Sequence, residues 1–132
     1  MELIVTIHRS MEHLIYLLAA LAVVFPLIDT IRKMPLGKLS VWTVRAYLVG
    51  VTLQLVLGLL QLVMRWSDFG DGLRYRLEHA ALMIVAVGIV HMAPRFMRRG
   101  DAIGSRNTTF MMVASIALIV LGTTLIKSAL RG

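Results

Sequence analysis

Residues 46–64 read AYLVGVTLQLVLGLLQLVM, nineteen consecutive positions without a charge and with only Thr52, Gln54 and Gln61 as polar interruptions. A run of this length and composition is a membrane span, because about 20 apolar residues cross a hydrocarbon core of roughly 30 Å. A soluble helix would show one polar face here. Within the run Gly50, Gln54, Gly58 and Gln61 project at about 0, 40, 80 and 20 degrees when each residue turns by about 100 degrees. They form one narrow stripe, and in lipid it is small and polar residues that mark the face turned toward other helices.

Working outward, a charge at the bilayer centre costs about 2.5–3.5 kcal/mol on insertion scales, so uncharged windows delimit the spans. Three more windows appear: residues 13–28, 79–94 and 107–126. The first extends outward through the apolar residues 3–7, and the third must also run past its bounding charges. The expected spans are therefore about 3–31, 46–64, 77–94 and 107–126. Short connections with Pro35 and Gly37, then Gly70 and Gly72, then Gly100 and Gly104, carry turn chemistry. The predicted fold is all-α, a single integral membrane domain over 1–132, built as an up-down-up-down four-helix bundle.

Composition agrees. Of 132 residues 58% are hydrophobic and 16% charged, with a mean hydropathy of +0.82, which excludes a large soluble core. The net charge of +7 lies in short clusters between apolar runs, where topology and anionic headgroups account for it without nucleic acid. There is no cysteine, so disulfides, thiolate metal sites and iron–sulfur clusters are excluded, and a metal or cofactor has to be held by His or Met. The amino terminus lacks the basic region and cleavage site of a signal peptide, and the first span is expected to be retained. Trp42, Trp66 and Tyr75 fall at span ends, as interfacial anchors do.

Inward faces follow from the same arithmetic. In the fourth span Thr108, Ser115 and Gly122 recur every seven residues. The third groups His79, Met83, Ala86 and Ala93, and the first groups His8, Glu12, Ala19, Ala22 and Pro26. In an up-down-up-down bundle the first and third helices run parallel, so His79 meets His8 or His13 near one membrane face. His91 lies about 18 Å deeper at about 1.5 Å per residue, with no histidine opposite. Facing favours His8 as the partner of His79, and depth favours His13. Both stay as candidates, with His8 placed first.

Two imidazoles facing each other across a bundle, with a glycine such as Gly58 nearby to make room, are what a bis-histidine haem b requires. Arg9, Arg74 and Arg76 stand at the same level and suit propionates, and Glu12 or Glu78 could orient a ligand imidazole. A cofactor-free structural or assembly subunit is the alternative, in which the histidines only line the headgroup region and the small stripes only pack. A transporter would require intramembrane carboxylates or paired broken helices, and neither is present between the bounding charges. No acid, base and nucleophile set falls at one depth, which disfavours a stand-alone enzyme.

At these residues the chain resembles small bacterial four-helix membrane proteins labelled cytochrome b-like. His8-Arg9-Ser10-Met11 opens the first helix, Gln54 and Gly58 match a Gln-x-x-x-Gly element, and Glu78-His79 is followed by Leu82-Met83. Where that group often carries a histidine two positions before the Gln, this chain has Thr52. The resemblance implies a bacterial inner membrane protein that transfers electrons or joins a respiratory or photosynthetic complex, with other membrane subunits or a redox protein as partners.

Lys and Arg number eight in the first and third connections and six on the opposite side. The positive-inside rule then puts both termini outside. Reporter fusions test this: a fusion at Gly132 should report the outer side and one at Gly104 the cytoplasm. A cytoplasmic Gly132 fusion reverses the orientation.

Overall fold

The protein is described by a computed structural model over residues 2–68 and 70–131. Helix α1 spans Glu2–Ile31, α2 Lys38–Met64, α3 Leu73–Met97 and α4 Ala102–Arg131, with two short 3-10 turns, Trp66–Asp68 and Gly70–Gly72, between α2 and α3. All four helices are long and apolar enough to cross a membrane. Each packs on its chain neighbours and α4 closes the ring against α1, so α1 and α3 face each other along a diagonal. The outer surface is apolar, with Leu17, Val49, Val85 and Phe110 among the exposed side chains. Lipid is the solvent that such a surface matches.

The helices are longer than the uncharged windows that announce them. Helix α2 begins at Lys38 and includes Arg45, α3 includes Arg74, Arg76 and Arg95, and α4 includes Arg106. Charges end a hydrophobic run without ending a helix, because long basic side chains reach the interface from within it. The connections shrink accordingly. Asp29 accepts hydrogen bonds from the Gly37 N–H and the Ser40 hydroxyl, setting a carboxylate at the start of α2, where the helix dipole favours negative charge. Asp101 does the same for α4 by accepting the Gly104 N–H at 2.9 Å while Arg99 Nε binds both of its oxygens. The Gly104 N–H, and after it Arg99, hold the Asp101 carboxyl below its ordinary pKa. Ser105 donates to the Met34 carbonyl at 2.7 Å, tying the first connection to α4.

Burial is distributed unevenly along the bundle. At the end holding the first and third connections, Ala19, Ala22 and Pro26 of α1 meet Ser40, Val44, Tyr47 and Gly50 of α2, Val90 and Ala93 of α3, and Ser105, Thr108 and Met112 of α4, all buried. Small side chains let the backbones approach, which is how helices gain contact in lipid. A Cβ on Gly50 would lie 3.1 Å from Ile15 Cδ1 and 3.2 Å from Leu18 Cδ1. Toward the other end burial stops. Among the described residues none of α1 before Ile15, of α2 after Val51 or of α3 before Ala86 is fully buried.

A hydrogen-bonded junction marks the boundary. Ser115 donates to the Ala86 carbonyl at 3.0 Å, which commits its only proton, so the Tyr47 hydroxyl 3.0 Å away is the donor to Ser115 Oγ. Three helices are joined at one fully buried point. Tyr47→Phe should cost about 0.6 kcal/mol, the usual worth of an interhelical hydrogen bond in a membrane. Ser115→Ala strands a buried phenol and should cost about 1–3 kcal/mol. Equal costs on unfolding in mixed micelles would show that the junction does not work as a chain.

Candidate functional site

Beyond the junction the four helices enclose a cavity of about 340 Å³. Ile15, Val51, Val87 and Ile119 line it nearest the junction, and Leu55, Leu59, Leu62 and Met83 form apolar walls. His8, Gln54, Gly58, Gln61 and His79 supply its polar surface, and Arg9, Glu12, Arg76 and Lys127 stand toward the chain termini. Both histidines of the favoured pair therefore border one space.

Each imidazole is placed differently. His8 lies against α2 where Gly58 has no side chain: a Cβ there would sit 3.1 Å from His8 Cε1. The room that Gly58 leaves is taken by the His8 ring itself. Gln54 Nε2 donates to the His8 backbone carbonyl at 2.6 Å, so the contact holds the main chain of α1, while His8 Nδ1 is buried without a hydrogen-bond partner among the described residues. The Gln54 and Gln61 side-chain oxygens are likewise buried and unpartnered among the described residues.

His79 is held by a hydrogen bond. Its Nδ1 lies 3.1 Å from the Gly122 carbonyl, and a carbonyl can only accept, so Nδ1 carries the proton and Nε2 presents a lone pair. Gly122 reaches α3 because it has no side chain: a Cβ would lie 2.6 Å from Met83 Cε and 3.3 Å from Leu82 Cβ. The orienting group of His79 is thus a backbone carbonyl, not a glutamate. Glu78 pairs instead with Arg74 on the exposed face at 3.2 Å, and Glu12 pairs with Lys127 at 2.6 Å across α1 and α4.

The remaining candidates separate cleanly. His13 is exposed and does not border the cavity, so facing, not depth, selects between it and His8. Arg9 and Arg76 border the cavity and Arg74 does not. His91 lies 3.0 Å through Nε2 from Thr52 Oγ1. Since Thr52 gives its proton to the Leu48 carbonyl at 2.7 Å, His91 is the donor in that pair. Lys127, Thr123 and the Gly122 carbonyl were not anticipated. Gly122 had announced itself only as a packing residue, and Lys127 only by sharing an end with the histidines.

The donor set suits a haem in its chemistry. Two imidazoles border the space from diagonal helices, one with Nδ1 committed to a carbonyl so that Nε2 is left for a ligand, beside apolar walls and basic side chains. No group of three or more His, Cys, Asp or Glu able to hold a bare metal ion occurs among the described residues. The chain matches no protein-family model, and no curated protein or solved structure matches it either.

Gly58→Leu should drive the His8 ring from its seat and cost about 1–3 kcal/mol by overpacking. Gly88→Leu, at an exposed position with no atom within 4 Å of a new Cβ, should stay within about 0.5 kcal/mol. Comparable losses from the two in thermal unfolding would detach Gly58 from the site.

Proposed function

We propose that this chain is a b-type haem protein of the bacterial inner membrane, an electron carrier or the haem-bearing subunit of a respiratory or photosynthetic complex, with both termini on the outer side. The observation that carries this reading is that His8 and His79, from the two helices on one diagonal, border a single cavity. His8 and His79 would be the axial ligands. Arg9 and Arg76 would face the propionates, with Lys127 beside them. Bound there, haem supplies a reversible one-electron couple, and the chain provides the ligands, the dry apolar walls and the basic rim.

Electron transfer suits the surroundings better than substrate chemistry. Among the described residues the cavity's one carboxylate, Glu12, is paired with Lys127 at 2.6 Å. Apolar walls beside the ligands keep reorganisation small when charge changes, which is what a carrier needs. A redox protein or other membrane subunits would be the partners. A cofactor-free subunit of a larger membrane complex is the second reading, favoured by the notch at Gly88 on the outer face of α3, where another helix could approach closely.

Purified with ample haem, the protein should carry one haem with a low-spin spectrum. His79→Ala should abolish binding, and His91→Ala should leave the spectrum unchanged. Wild-type protein with no Soret absorption above background contradicts the proposal and leaves the cofactor-free reading.

A further inference from the structure

The two histidines that border the cavity are not equivalent. The His79 ring is anchored from behind: Nδ1–H donates to the Gly122 carbonyl, and α4 is packed against Met83 and Leu82 at that point, closely enough that Gly122 has no space for a Cβ. Turning His79 away from the cavity would break this bond and leave its Nδ1–H without that acceptor. A ligand imidazole backed by such an acceptor is also the more basic donor. His8 has no such backing. Gln54 grips its main chain and Gly58 receives its ring, but the second ring nitrogen is buried with no partner among the described residues. Rotation of the His8 ring breaks no hydrogen bond of that ring among the described residues.

We infer that His79 is the permanent ligand and His8 the exchangeable one, so that the site opens on the His8 side to a small neutral ligand of the carbon monoxide class. This rests on the haem reading. The ligand class follows from the space vacated: the His8 ring packs directly on Gly58, so its departure frees a seat the size of one imidazole, which is room for a diatomic molecule. Gly122 is then a positioning residue. It acts through His79 and not on the ligand.

Carbon monoxide added to the reduced, haem-loaded wild-type protein is the probe. The expected result is a shift of the Soret band to a CO form at one CO per haem, from a starting spectrum that is low-spin. His8→Ala should keep haem, lose the low-spin spectrum and give the same CO form as the wild type, since His8 is absent from that form in both. His79→Ala should lose haem. Two results overturn the inference: a haem-loaded wild type that does not respond to CO, or haem retained by His79→Ala and lost by His8→Ala. The wild-type titration stands even if a variant does not fold. A wild type without haem is a different failure, since it removes the haem reading first and this inference with it.

Discussion

The hydrogen-bonded junction of Tyr47, Ser115 and the Ala86 carbonyl is the point on which the rest of the structure turns. In lipid there is no hydrophobic force between helices, so they associate through close packing and the few polar groups they share. Here one phenol, one hydroxyl and one carbonyl join α2, α4 and α3 at mid-depth, each with its proton accounted for. On one side of this point small residues let the helices close on one another. On the other side the side chains lengthen to Gln, His, Met and Leu, and the bundle opens. The cavity begins at the junction because the closely packed half ends there.

An opening of this kind costs contacts that close packing would supply. Side chains lining a void lose contacts on one side, and unpartnered polar atoms in an apolar setting cost more still. His8 Nδ1 and the side-chain oxygens of Gln54 and Gln61 are such atoms. Their presence beside two imidazoles, in a space ringed at its mouth by Arg9, Arg76 and Lys127, distinguishes this half from the closed half. A cofactor with an apolar body and anionic substituents would match both the walls and the rim.

Much of this was legible from residue spacing. The stripe of Gly50, Gln54, Gly58 and Gln61 does face the interior, as do Thr108, Ser115 and Gly122, because a helix of fixed pitch converts sequence interval into direction without further information. The same rule separated His8 from His13. Depth points the other way: counted to the helix ends, His79 lies 18 residues before Met97 and His13 lies 18 before Ile31, against 23 for His8, so His13 is set aside by direction alone, its side chain being exposed. The Gly122 carbonyl was beyond reach. Every residue has a carbonyl, so a backbone acceptor leaves no mark in the sequence. The acidic residues next to the histidines drew attention instead, and both proved to be engaged in ion pairs.

The central claim is that the imidazoles of His8 and His79 hold one haem between α1 and α3. Electron–nuclear resonance on the ferric protein, with isotopically labelled histidine, reads this directly. The account predicts couplings from two axial imidazoles in the wild type, one of which disappears in His8→Ala. A wild-type spectrum with a single histidine coupling, or two couplings that survive the loss of His8, would contradict it.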